Sequence, residues 1–253
     1  PGFLRKLGQH LHDLGRPPQG IRGLICIGEP LRDAELRPTA LSQDLERLWG
    51  APAYSTYSSS EIVTSFCECT ARCGGHAAPD LGIVEIVDAD GNVLPPGQTG
   101  EVVVTPLGVE GMPLVRFRTG DVGYLAVEPC ACGRQTPRLS PILGRRAQML
   151  KIRGTTFYPA TAFEVLNDVP EIGEYYLKVE TSGGEDQASV HLSLSPDRPE
   201  MRRKIEDHLL ARLRVRVQLC VEPEDDVRRQ VYVAHSRKPI RFIDRRGTTA
   251  TKA

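Results

Sequence analysis

The sequence has 253 residues, 40% of them hydrophobic and 25% charged, enough apolar material for one large or two modest cores and too much for intrinsic disorder. Lys and Arg total 32, as do Asp and Glu, so the formal net charge is +0 and the overall balance points to neither nucleic acid nor an anionic membrane. No run approaches the roughly 18 apolar residues of a membrane span, and the first residues lack the apolar stretch of a secretion signal, so a cytoplasmic protein is expected.

Apolar residues at 3, 4, 7, 11 and 14 form a helical stripe that ends in a segment rich in Gly and Pro, residues 15–20. Residues 23–27 are a short apolar run, read as a buried strand. The run ends in Gly28, Glu29 and Pro30 and leads into a helix reaching Trp49. Residues 83–87 and 102–105 read as strands, separated by a turn at 88–91 and a Pro-Pro-Gly corner at 95–97. Asp88 and Asp90 invite a calcium reading, but the glycine and closing glutamate of an EF-hand are missing, and a hairpin turn is expected.

Beyond Leu143 the pattern changes. Val190, Leu192 and Leu194 alternate; apolar residues at 201, 205, 209 and 213 mark an amphipathic helix entered at Pro199; Val215, Val217, Leu219 and Val221 alternate again. The expected organisation is a larger domain with a β-rich part, residues 1–143, followed by a small α+β domain, residues 144–253.

Seven cysteines, an odd number without a secretion signal, argue against a disulfide framework. Cys67, Cys69, Cys73 and His76 fall close together, and Cys130 and Cys132 precede Gly133 and Arg134. Thiolates and imidazole suit zinc, and a structural site closes with four protein ligands. Two quartets meet that requirement: Cys67, Cys69, Cys73 and His76 locally, or Cys69, His76, Cys130 and Cys132 stapling two loops. Cys26 and Cys220 lie in apolar or alternating runs and are expected to fill cores.

Tyr57, Ser58, Ser59, Ser60 and Glu61 place an aromatic face, three hydroxyls and a carboxylate in one short segment, types suited to stacking a base, binding phosphate and holding Mg2+. Asp121 follows Phe117, Arg118, Thr119 and a glycine turn at Gly120, where a carboxylate suits the two hydroxyls of a ribose. Gly144, Arg145, Lys151, Arg153, Gly154, Tyr158 and Pro159 add cations and turns beside the expected boundary. Lysine is scarce in this chain, yet Lys238 stands among Arg237, Arg241, Arg245 and Arg246. That basic stretch lacks interleaved aromatics beyond Phe242, so no nucleic-acid partner is expected.

In this order the segments resemble the adenylate-forming superfamily of acyl-CoA synthetases, most closely the phenylacetate-CoA ligase family. The segment at Gly28, Glu29 and Pro30 is similar to the family's Gly-Gly-Glu-Pro loop with Ile27 for the first glycine, and residues 57–61 to its Tyr-Gly-Ser-Thr-Glu motif. Residues 117–121 resemble its Tyr-Arg-Thr-Gly-Asp motif, residues 144–159 its hinge, and residues 236–245 the ending that carries the adenylation lysine.

The resemblance implies activation of an aryl or related carboxylic acid by ATP, through an acyl adenylate and AMP, to the CoA thioester. By it, Gly28, Glu29 and Pro30 line the adenine side, Tyr57 stacks on adenine, Ser60 binds the α-phosphate and Glu61 holds Mg2+. Asp121 clamps the ribose, Arg145 approaches ribose and phosphate, and Lys238 neutralises the phosphate during adenylation. Some relatives carry a zinc site of Cys-x6-His and Cys-x-Cys-Gly-Arg, which here selects Cys69, His76, Cys130 and Cys132. Two departures accompany it. Ala147 stands where the hinge commonly has aspartate, and the family's Ser/Thr/Gly-rich phosphate loop has no counterpart in residues 1–253. The chain is therefore expected to be the C-terminal portion of a ligase, paired with a separate upstream half or a second copy. The contrasting expectation is a noncatalytic zinc-stapled protein that binds a nucleotide or a partner protein.

Overall fold

In the computed structural model, which describes residues 1–182, 185–234, 236 and 239–246, the chain divides between Ala147 and Gln148 into two units. The first unit opens with α1 (Gly2–Asp13), where the helical stripe is expected, and β1 (Leu24–Ile27). Helix α2 (Ala40–Trp49) is set at both ends by its own sequence. The Thr39 hydroxyl accepts the Ser42 N–H at 3.3 Å, and Gly50 ends the helix with φ of 61°. Leu41 and Leu45 of α2 bury against Leu24, Cys26 and Ala53, with Leu4 and Trp49 packed around them. Each fully buried leucine contributes about 2 kcal/mol to holding this layer. The Trp49 indole N–H donates to the Leu4 carbonyl at 3.1 Å and ties α1 to α2.

The remaining strands of this unit are β2 (Ala53–Ser58), β3 (Ser65–Glu68), β4 (Gly75–His76), β5 (Gly82–Val87), β6 (Gly100–Pro106), β7 (Phe117–Gly123), β8 (Leu125–Ala126), β9 (Arg138–Leu139) and β10 (Gly144–Arg145). They form two sheets, in the orders β1-β2-β3-β4-β9-β8 and β10-β7-β6-β5. The β1/β2 pair is parallel and the other pairs of these two sheets are antiparallel. Phe66 and Leu139 from the first sheet share a core with Ile86, Val102 and Val104 from the second. The turn between β5 and β6 is the expected hairpin turn: the Asp88 carboxylate accepts the Asp90 and Asn92 N–H groups, and Gly91 has φ of 90°.

Strand β1 departs from the expectation of burial throughout. Leu24 and Cys26 are buried, whereas Ile25 and Ile27 are 73% and 52% exposed, because the helical layer covers one face only.

The second unit consists of β11 (Leu150–Ile152), β12 (Thr155–Phe157), α3 (Pro159–Asn167), β13 (Ile172–Ser182), β14 (Glu185–Leu194), α4 (Pro199–Leu213), β15 (Gln218–Val221), α5 (Glu224–Val231) and β16 (Phe242–Asp244). Proline at the first position of α3 and of α4 lacks an N–H exactly where a helix leaves donors unpaired anyway. The sheet runs β15-β14-β13-β16, its central pair antiparallel and both outer strands parallel to their neighbours. Ile205, Leu209 and Leu213 of α4 and Val165 and Leu166 of α3 pack on Leu177, Val190 and Leu192 of the sheet. On its other side Tyr176 packs with Val227 and Val231 of α5.

Two details differ from the sequence pattern. Val215 and Val217 are buried but precede β15, since Arg214 with φ of 56° first turns the chain out of α4. Residues 144–147 group with the first unit rather than the second, because β10 pairs with β7. Cys26 is buried as expected, Cys220 only partly so. Among the described residues no helix is long and apolar enough to cross a membrane.

Candidate active site and metal centre

Strands β1 and β2 are in register with Ile27 beside Thr56, so Gly28, Glu29 and Pro30 leave the sheet next to Tyr57 and the serines that follow it. The carboxyl ends of neighbouring parallel strands are where α/β sheets place ligands. Tyr57 Oη donates to Asp121 Oδ2 at 2.8 Å, and Arg145 Nε lies 3.4 Å from Asp121 Oδ1. Asp121 and Arg145 are direct partners across the β7/β10 ladder, which fixes this pairing through the backbone. The Asp121 side chain is 15% exposed and that of Arg145 70%, so the carboxylate is sheltered while the guanidinium reaches solvent. Burial pushes the Tyr57 phenol up, and Tyr57 remains a donor through neutral pH.

Ser60 and Glu61 are exposed at the turn after β2. The Glu61 carboxyl is held below its ordinary range chiefly by its own backbone N–H, which leaves an anion facing solvent. Glu29 accepts the Gly2 N–H at 3.0 Å, so α1 starts against this loop. Lys238 lies outside the described residues.

Sequence reasoning missed Glu101. This buried carboxylate accepts from Arg118 Nε at 2.9 Å and from Arg146 Nη1 at 2.8 Å, joining the strand that carries Asp121 to the segment after Arg145. The signal available was a lone acid ahead of the apolar run Val102, Val103 and Val104.

The structure brings Cys69, His76, Cys130 and Cys132 together, with ligand atoms all within 4.8 Å of one another. Cys69 Sγ is 3.6 Å from Cys130 Sγ, and Cys132 Sγ is 3.5 Å from His76 Nε2. A tetrahedral zinc bound by thiolates at about 2.3 Å and imidazole at about 2.0 Å sets its ligand atoms roughly 3.5 to 3.8 Å apart, so the donor set and its spacing fit that ion. The other ring nitrogen of His76 pairs with Thr136 Oγ1 at 2.9 Å, which aims Nε2 at the cluster. The Cys132 backbone N–H draws the Cys130 thiol down, while burial pushes the Cys69 thiol up.

Among the described residues the local alternative does not assemble. Cys67 Sγ accepts from Thr56 Oγ1 at 3.2 Å. Cys73 Sγ lies 3.7 Å from Cys130 Sγ but receives Arg138 Nη1 at 2.9 Å. Gly75 makes the β3/β4 hairpin possible, since a Cβ there would sit 2.4 Å from the Phe66 carbonyl oxygen.

No family model matches the chain. Curated relatives do: a phenylacetate-coenzyme A ligase of Thermus thermophilus is 34% identical over 200 residues, covering 77% of this chain and 44% of its own length. One of Pseudomonas putida is 31% identical over 201 residues, again 77% of this chain and 44% of the relative. The chain is a homologue of the phenylacetate-CoA ligases. It spans under half the length of these phenylacetate-CoA ligases, at 44% of each. Among solved structures, a 2-hydroxyisobutyryl-CoA ligase superposes with a TM-score of 0.78 at 23% identity, covering 96% of this chain and 52% of that one. An O-succinylbenzoate coenzyme A synthetase from Bacillus subtilis gives 0.63 at 21% identity, over 88% and 48%. The fold of the chain is thus that of adenylate-forming CoA ligases.

Proposed function

We propose that the chain forms part of an ATP-dependent acid-CoA ligase that activates an aryl or related carboxylic acid as an acyl adenylate and passes the acyl group to CoA. The observation that carries this reading is the Tyr57, Asp121 and Arg145 constellation beside the carboxyl ends of β1 and β2. In this reading Asp121 accepts from the ribose hydroxyls, and its contacts with Tyr57 and Arg145 support that role by orienting its two oxygens. The Tyr57 ring is the stacking surface for adenine, and residues 28–30 lie at its side. Arg145, mostly in solvent, keeps guanidinium donors beyond its Nε pairing with Asp121 that can meet a phosphate. Glu61 supplies an exposed carboxylate for Mg2+, which would spread the charge of the leaving pyrophosphate.

No protein nucleophile is needed for this chemistry. The substrate carboxylate attacks the α-phosphorus, pyrophosphate leaves, and the CoA thiolate then displaces AMP from the acyl carbon. Catalysis is positioning plus electrostatic stabilisation, and Lys238 is assigned the charge that develops in the first step. We also read Cys69, His76, Cys130 and Cys132 as a structural zinc site, because all four positions of the ion are filled by protein.

The test is ATP–pyrophosphate exchange with a panel of aryl acids, alongside AMP binding to the chain. Acid-dependent exchange by the polypeptide that contains this chain, together with AMP binding lost in Asp121→Asn, is the expected outcome. AMP binding that is indifferent to Asp121→Asn overturns the site, and exchange absent with every acid overturns the activity.

A further inference from the structure

Arg32 and Glu68 are an ion pair sealed from water, with side chains 1% and 2% exposed and Arg32 Nη2 3.2 Å from Glu68 Oε2. The guanidinium gathers four segments. Its Nη1 donates to the Leu31 carbonyl at 3.0 Å and to Ser42 Oγ at 2.7 Å. Its Nη2 donates to the Ala53 carbonyl at 2.9 Å as well as to Glu68. The same Glu68 oxygen accepts the Ser55 N–H at 2.8 Å, while its other oxygen, Oε1, is buried without a hydrogen-bond partner among the described residues. Such a pair is a poor source of stability, since apolar groups of similar volume commonly do as well or better in the same space. What it supplies is fixed geometry between the places it joins.

Those places are the two sites described above. Leu31, held by its carbonyl, is the residue that follows Gly28, Glu29 and Pro30. Glu68 lies directly before Cys69 in the chain and faces Gly75 across the β3/β4 ladder, one residue from His76. Closing the cysteine and histidine cluster on an ion therefore fixes the backbone on both sides of Glu68, and Glu68 in turn fixes the fork that holds the exit of the loop at residues 28–30.

We infer that Arg32 and Glu68 are positioning residues that couple the metal centre to the nucleotide loop, so that metal occupancy sets nucleotide affinity. This rests on the reading of both sites given under the proposed function. Linkage requires the converse with the same factor: bound AMP must tighten the metal.

The experiment measures AMP affinity by calorimetry in zinc-loaded and chelator-stripped protein, and zinc affinity by chelator competition with and without AMP. In the wild-type chain, stripping is expected to weaken AMP about tenfold, and AMP to tighten zinc by the same factor. The paired substitution Arg32→Met/Glu68→Leu, which leaves no charge stranded, keeps both ligands but reduces each effect to about twofold or less. Arg32→Lys, keeping the charge and losing the fork, falls between. The competition arm reads the coupling in zinc-loaded protein even where stripping unfolds the chain. Zinc and AMP that bind the wild type independently overturn the coupling and leave both sites standing. Coupling undiminished in the paired variant overturns the role of Arg32 and Glu68. Failure of the wild type to bind zinc or AMP at all overturns the site reading and this inference with it.

Discussion

Asp121 has both carboxylate oxygens engaged before any ligand arrives, one by Tyr57 and one by Arg145. Tyr57→Phe removes the hydrogen bond and keeps the ring, so AMP affinity is expected to fall about tenfold, in the range of a hydrogen bond to a charged group, and calorimetry measures it. Glu101 makes a different prediction. Burial opposes its charge, but hydrogen bonds from Arg118 and Arg146 outweigh that cost and hold its carboxyl below the ordinary range. A depressed folded-state value means the contribution is complete above the ordinary glutamate range and is lost as pH falls through the folded value. Thermal melts between pH 7 and pH 3 should therefore show an acid loss that Glu101→Gln flattens. The variant should be less stable by about 1 to 2 kcal/mol at neutral pH, a figure discounted because both arginines reach solvent. The residues proposed to touch ligand stood out in the sequence because their types are unusual together, as with Tyr57 and Glu61. Their supports did not. Glu68 and Glu101 look like solvated strand positions, and their arginine partners become visible only when strands distant in sequence are placed side by side.

Periodicity identified α1 and α4, because a helix buries one stripe, whereas for α2 only the end at Trp49 was expected: the helix starts at Ala40, capped by Thr39, and not directly after Pro30. Periodicity misjudged β1, since an apolar run does not reveal which face its neighbours will cover. The β3/β4 hairpin shows how an element carries a cluster: Cys69 follows β3 directly, His76 ends β4, and Gly75 allows the two strands to close. Gly75→Ala should lose zinc together with stability, by elemental analysis and by melting, although it alters no ligand. Cys130→Ser should also lose zinc, and Cys67→Ser should retain it, because Cys67 is held by Thr56 outside the quartet. Chelation should lower the melting temperature of the first unit, since the binding energy of a structural metal is part of folding energy.

At the scale of the whole molecule, the chain divides into two compact units, and the strand pairing of residues 144 and 145 keeps those residues with the first. The proposed division of labour assigns Lys238 to adenylation. Lys238→Ala should slow pyrophosphate exchange by about 100 to 1,000-fold and spare thioester formation from a supplied acyl adenylate, which separate assays of the two half-reactions decide. The tether between Trp49 and Leu4 has a practical consequence for such measurements. Trp49 is the sole tryptophan of the sequence, and it sits wholly within the first unit, between α1 and α2. Its emission is a built-in optical probe of that unit, while circular dichroism sums both. A denaturant titration followed by both signals can therefore resolve whether the two units melt as one cooperative block or in succession, with no label attached to the protein.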